Sequence, residues 1–389
     1  MPLKHRAFAI LRTTRKGRFR LILHLVLLGV PLLCLSAAAL SALSNRALFA
    51  QRQHEERLSP LEAALFQEIF HLRDQLGHAV WPGWDQAAIP IIMFNDDYAF
   101  LAGHPDPPSP WQPVTDSADG FSYYTKSTAG DEQKPQNFAE PVGDRWAGSL
   151  ATKSLSESYL VDGLQETLPS FLDPIFPYKI MIGLMLPTEQ IIAATLHESF
   201  HAYQVEFSPA RFDDAELAYL AANDYWSADT SMHDAWQTEM DLLVEALQAA
   251  TGEEAARLAR RFLAQRETRR ERAQISPDLV DFERRFEWLE GVAMYVEFSI
   301  WRAAANSSDY QPFEALDTDP DFSAYANFDR HWGRQLDEMG RQATQENDIR
   351  FYYTGMAQSM LLDQLAPGWK HHIWGDSVWL ETLLDEAVR

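Results

Sequence analysis

The residues His197-Glu198-Ser199-Phe200-His201 have the types and the spacing of a reaction centre. On a helix, positions four apart lie on one face, one turn apart, so two imidazoles can reach a single ion. Glu198 lies beside that face and can act as a general base toward a water at the ion. The chain has a single cysteine, Cys34, which excludes a disulfide framework, a thiolate zinc module and an iron–sulfur cluster. A metal here is therefore held by imidazole and carboxylate, and Zn2+, one per chain, is the ion expected.

A catalytic zinc ion takes three protein ligands and keeps a position for water. The metzincin continuation H-x-x-G-x-x-H is excluded, because Gln204 and Phe207 occupy its later positions. Glu290 is the best candidate for the third ligand. It lies in Trp288-Leu289-Glu290-Gly291-Val292-Ala293-Met294-Tyr295-Val296-Glu297, 89 residues beyond His201, on a predicted helix. Glu287 and Glu297 fall on roughly the same face and are its rivals. Gly291 and Ala293 are small, which is expected to let this helix pack close to the one bearing the histidines.

HESFH followed by a distant helical E-G-x-A resembles the gluzincin metallopeptidases, and the likeness covers roughly residues 178–362. The resemblance implies a zincin-like metallopeptidase fold with His197, His201 and Glu290 as zinc ligands. It also implies Glu198 as the general base and a peptide or protein as substrate. Aminopeptidase N-like gluzincins carry a Tyr-x-x-Gly at a helix start, whose Tyr stabilises the oxyanion. By that likeness Tyr352, in Tyr352-Tyr353-Thr354-Gly355, is the donor, although Thr354 stands where a Lys is usual. Tyr353, His331, His371 and His372 are alternative donors. Two other functions fit the same residues: a non-catalytic protein that holds a peptide or an envelope partner, and a zinc hydrolase of a non-peptide amide or ester.

The elements that must position these residues are mainly helices. Leu186-Pro187-Thr188-Glu189 reads as a helix start with Thr188 as N-cap, and Ile192, Leu196 and Phe200 give that helix an apolar stripe. Helices are predicted at about 54–77, 188–206, 213–223, 233–250, 252–274, 278–303 and 351–365. Residues 89–94, 121–124, 146–152 and 178–184 (YKIMIGL) read as strands. The fold class expected is α+β, predominantly α-helical. A mixed part (52–177) precedes a mainly helical part carrying the site (178–389). Residues 103–113 hold five prolines and read as an irregular loop, either rigid surface or a cover for a cleft. The seven arginines between Arg257 and Arg272 alternate with Glu267 and Glu271, and are expected to form a solvated helix face.

The N-terminus follows different rules. Residues 21–43 contain no Asp, Glu, Lys or Arg, and at ~1.5 Å per residue they span roughly 34 Å as a helix, enough to cross a bilayer. Seven basic residues precede them, which places residues 1–20 in the cytoplasm and the remainder outside, in the periplasm of a Gram-negative cell. A signal peptide cut near Ala37-Ala38-Ala39 is the alternative to a retained anchor. Residues 1–50 take eight of the 33 basic residues and none of the 56 acidic ones, so the body is strongly negative. A surface of that sign repels nucleic acid, and no nucleic-acid partner is expected.

Overall fold

The computed structural model describes residues 35–45, 48, 54–115, 120–131, 134–229, 232–375 and 377–389. The expected tail at 1–20 and most of the expected span, residues 21–34, lie outside the described residues. Among the described residues, no single helix is long and apolar enough to cross a membrane.

Six strands form one mixed sheet in the order β3-β4-β2-β1-β6-β5. They are β1 (Ile91–Phe94), β2 (Tyr98–Ala102), β3 (Gln112–Val114), β4 (Tyr123–Ser127), β5 (Phe138–Val142) and β6 (Arg145–Ala151). β1 and β6 are parallel, and the other neighbours are antiparallel. β1, all four residues of which are buried, is a central strand covered on both faces. Ile91, Met93 and Phe100 enter the main core, while Ile92, Phe94 and Leu101 enter a smaller cluster on the opposite face with Trp111. The proline-rich stretch thus anchors through Trp111 under the sheet.

The helices are α1 (35–45), α2 (Pro60–Val80), α3 (Lys153–Thr167), α4 (Tyr178–Met185), α5 (Thr188–Phe207), α6 (Pro209–Ala218) and α7 (Ala222–Asp229), then α8 (His233–Leu247), α9 (Gly252–Ala273), α10 (Pro277–Phe286), α11 (Val292–Asn306), α12 (Phe328–Gln342), α13 (Ile349–Leu365) and α14 (Leu380–Val388). The protein is α+β and mostly helical, with one sheet. It divides into two compact units: residues 53–156 with 186–389, and residues up to 52 with 157–185.

Local chemistry explains several boundaries. α2 starts later than its apolar spacing suggests, because Ser59 and Glu62 form a capping box around Pro60. α5 is preceded by Pro187 as N-cap, not Thr188. Thr188 is the first helical residue, and its hydroxyl donates to Asp319 Oδ2 at 2.5 Å. YKIMIGL is helical rather than extended: in α4, Tyr178 and Ile182 are buried one turn apart. A short apolar run is ambiguous between the two states, and here Pro177 and Pro187 confine it to a short helix.

The arginine-rich helix also departs from expectation. Arg266, Arg269 and Arg270 are buried. Arg266 pairs with Glu287 at 2.6 Å, Arg269 with Glu239 at 2.6 Å, and Arg270 with Glu283 at 2.7 Å and Glu381 at 2.8 Å. Arg350 joins through Asp229 at 2.9 Å. The buried face of α9 runs Ala255, Leu258, Ala259, Phe262 and continues at the same spacing into these arginines. The inward stripe simply changes from apolar to charged, and carboxylates from five other segments meet it.

Candidate metal centre

α5 carries His197 and His201 on one side and is held by the sheet on another. Gly148 of β6 makes that contact: a Cβ there would fall within 2.5 Å of Ser199 Cα. Only a glycine lets the strand backbone approach the helix backbone this closely. Ile192, Leu196 and Phe200 enter the core, as their spacing predicts.

Opposite the two histidines lies a π-helical turn, Glu287–Gly291, that joins α10 to α11. Such turns displace one residue from the regular helical path and recur at functional sites. Here the turn carries Glu290. Its Oε2 lies 3.4 Å from His197 Nε2 and 3.1 Å from His201 Nε2. Three ligand atoms at zinc bond lengths of about 2.0–2.1 Å in tetrahedral array stand about 3.3 Å from one another. Glu290 Oε2 stands at about that separation from each imidazole, and the three side chains have the donor types of a zinc site. Glu198 also faces them, with Oε2 at 4.0 Å from His201 Nε2.

The rival carboxylates have other partners. Glu287 is buried against Arg266, and its Oε1 accepts the Thr354 hydroxyl at 2.5 Å. Glu297 accepts from His197 Nδ1 at 3.2 Å. Gln204 does the same for His201, with Nδ1 2.8 Å from its Oε1. The Gln204 amide is oriented by its other end, where Nε2 donates to Trp288 O at 2.8 Å and Leu289 O at 3.2 Å, both in the π turn. With Nδ1 engaged by Glu297 or Gln204, each imidazole is oriented so that Nε2 points toward Glu290, as partners at the far nitrogen orient metal-binding histidines.

α11 packs against the histidine helix as expected, but Gly291 is not the point of contact. Gly291 abuts α13 rather than the histidine helix: a Cβ would stand 2.5 Å from Gly355 Cα. That contact brings the start of α13, with Tyr352, to the site. The Tyr352 ring stacks on His197 with centroids 6.1 Å apart. Tyr353 points away and donates to Gln335 at 2.6 Å. His331 is stacked against Trp301 in the core at 4.3 Å, and His371 and His372 stand exposed outside the cleft. Tyr219, which sequence reasoning passed over, donates to Glu290 Oε1 at 3.1 Å. Nothing in its surroundings in the chain marks it, since the polypeptide reaches the site by a turn after α6.

Electrostatics follow from the crowding of carboxylates in a buried place. Burial pulls the His197 imidazole down, but Glu290 and Glu297 outweigh it and push it up to about 10. Burial pushes Glu198 up to about 7 against the pull of His197 and His201. Burial also raises Glu290, but His201 and His197 hold it well below the usual carboxylate range. Tyr352 and Tyr219 are both raised well above the ordinary phenol value, first by burial and then by Glu290, so both remain donors at neutral pH.

The site opens into a cleft of about 450 Å3, bordered by Tyr219, Tyr352, Met294, the first residue of β5, Phe138, and the two residues before it, Gln136 and Asn137. β5 is an edge strand of the sheet and has no strand partner on its outer side among the described residues. Comparison of the chain with family models, with curated proteins and with solved structures finds no match.

Proposed function

We propose that this protein is a membrane-anchored, extracytoplasmic zinc-dependent peptidase of the gluzincin type. One observation carries the proposal: Glu290 Oε2 sits within 3.4 Å of both His197 Nε2 and His201 Nε2, with Glu198 alongside. A helix bearing H-E-x-x-H beneath a mixed sheet fits the zincin-like fold of that class. The anchor rests on the uncharged run 21–43 and the seven basic residues before it.

His197, His201 and Glu290 hold one zinc ion, whose chemistry when bound is Lewis acidity toward a carbonyl oxygen and toward water. Glu198 takes a proton from the water that attacks the carbonyl carbon. It delivers that proton to the amide nitrogen as the C–N bond breaks, leaving a carboxylate and an amine. The Tyr352 hydroxyl, with Tyr219 beside it, donates to the carbonyl oxygen as that atom gains negative charge. The outer edge of β5 offers backbone donors and acceptors to an extended chain at the mouth of the cleft. That edge favours a peptide over a small amide or ester as substrate.

The test uses full-length protein purified in detergent without chelator, with zinc measured per chain and hydrolysis followed on a peptide library. Wild type and Glu198→Gln are expected to hold about one zinc each. Turnover is expected to fall by roughly 10²–10⁴ in Glu198→Gln. Glu290→Ala is expected to lose both metal and activity. Wild-type zinc content in Glu290→Ala moves the third ligand to Glu297. Zinc in the wild type without hydrolysis of any peptide makes the non-catalytic binding role the better reading.

A further inference from the structure

The smaller unit has a surface unlike the rest of the molecule. Its interior is modest: Val161, Tyr178 and Ile182 are buried, with Leu160, Leu164, Leu168 and Phe176 packed around them. Its outside is apolar. Of the fifteen large hydrophobic side chains that stand exposed among the described residues, nine belong to this unit, although it contributes only a small part of the described chain. Phe171 is 75% exposed, Leu40 68% and Ile180 64%, and Leu43, Ile175 and Leu184 share the surface. Exposure on this scale, concentrated in one place, marks an interaction surface.

Leu40, Ile175 and Ile180 share one groove. α1 and the segment 175–180 enclose an apolar groove of about 690 Å3, lined by Ala37, Leu40, Ile175, Pro177 and Ile180. Hydrogen bonds fix the arrangement: Ser41 Oγ donates to Phe176 O at 2.8 Å, and Asn45 Nδ2 donates to Phe176 O at 2.9 Å. Charge is nearly absent. From residue 168 to 186 the chain has only Asp173 and Lys179. Asp173 is engaged within the unit, where it accepts the Tyr178 hydroxyl at 2.5 Å. Within α4, Tyr178 and Ile182 face inward, while Ile180, Leu184 and Met185 face out.

The occupant follows from what precedes α1. The fourteen residues before it, 21–34, are LILHLVLLGVPLLC, without a charge. On the reading of residues 21–43 as a membrane anchor, on which this inference rests, α1 is the outer end of that anchor. Whatever is bonded to Ser41 and Asn45 then lies at the depth of the outer leaflet. We propose that the smaller unit is a second membrane contact: Phe171, Ile175, Ile180 and Leu184 enter the acyl region of the outer leaflet beside the anchor. Lys179, at the rim of the groove, extends its stem along this apolar surface and carries its ammonium to the lipid phosphates. The contact holds the unit against the bilayer, where an anchor alone would leave it free to swing.

The experiment uses the full chain with Cys34→Ser as background and one new cysteine at a time, from Ile180→Cys, Leu184→Cys or Leu28→Cys. Each is labelled with an environment-sensitive fluorophore and reconstituted into phosphatidylcholine–phosphatidylglycerol vesicles. Fluorescence is then quenched from the lipid side by acyl-chain-brominated lipid, or from the water side by iodide. Positions 180 and 184 are exposed, so the substitutions leave the core intact, and a wild-type thermal transition checks each variant. The expected result is loss of at least about half the signal to brominated lipid at positions 28, 180 and 184, with little effect of iodide. Quenching by brominated lipid at 28 but only by iodide at 180 and 184 overturns the proposal and leaves the anchor standing. Lipid quenching at 28 with neither quencher reaching 180 or 184 also overturns it, and assigns the groove to protein, either a second copy or residues of the N-terminal segment. Absence of lipid quenching at all three positions overturns the anchor reading and the proposal together.

Discussion

Two residues that do not face the shared point between the histidines and Glu290 decide what the histidines can do. Glu297 and Gln204 each accept an Nδ1 proton, and so leave Nε2 free for a metal. They differ in strength, since a carboxylate acceptor makes the imidazole a better donor to a cation than a carboxamide does. Glu297→Ala is therefore expected to weaken zinc binding by about 10–100-fold while the stoichiometry at saturating metal stays at wild type. Competition against a chelator of known affinity measures this. Unchanged affinity would mean that the 3.2 Å bond to His197 has no part in holding the metal. Glu198 has no such prop. Burial raises it toward neutrality against the pull of His197 and His201, which suits it to exchange a proton.

At the scale of elements, the site depends on two backbone contacts with no room for a side chain. Gly148 lets β6 lie against α5, and Gly291 lets the π turn lie against Gly355 of α13. The second contact sets the position of Glu290, the residue just before it, and brings Tyr352 to the same cleft. Gly291→Ala places a methyl group 2.5 Å from Gly355 Cα and 3.0 Å from Phe351 O, so backbone must move. The expected cost is about 1–3 kcal/mol of stability, with impaired zinc retention because Glu290 moves with the turn. Gly163→Ala is the control: it lies on a helix with nothing within 4 Å, and is expected to be neutral or slightly stabilising. Thermal denaturation and zinc content of the two variants separate the effects. Equal behaviour would show that the close approach is not needed.

Across the whole molecule, a buried charged layer joins α7, α8, α9, α10, the π turn, α13 and α14. Arg266, Arg269, Arg270 and Arg350 meet Asp229, Glu239, Glu283, Glu287 and Glu381 there. Burial would raise the Glu381 carboxyl, but Arg270, Arg266 and Arg284 hold it down to about 2, against the usual 4.5. A carboxylate lowered on folding adds stability that is full above the unfolded value. That stability is lost as the pH falls from about 4.5 to about 2. Glu239 and Asp229 are instead raised by burial and slope the other way. Glu381→Gln is expected to cost about 3 kcal/mol near neutrality, by leaving buried guanidinium groups short of a partner. Its melting temperature should also fall less steeply than that of wild type across the same acid range. Parallel curves for the two proteins would remove Glu381 from the acid response.

Some of this was legible before any tertiary contact was known, because it depends on neighbours in the chain. The i, i+4 histidines, the apolar stripe of α5, the helix carrying Glu290 and the mostly helical character with some strands all follow from local periodicity. The strands β2, β3 and β5 and the polar helices α3 and α12 were not legible, since they are short or their apolar spacing is diluted by charge. Neither was the state of α4, where a short apolar run suits helix and strand alike. Which of Glu287, Glu290 and Glu297 meets the two Nε2 atoms was open on the sequence, because all three lie on one helical face. The π turn and the two glycine contacts resolved it by rotating Glu290 inward, turning Glu287 to Arg266 and leaving Glu297 at His197 Nδ1. The roles of Gln204 and Tyr219 and the burial of three arginines belong to the same class. Each depends on partners from distant segments, and burial of a charge is settled only where those segments meet.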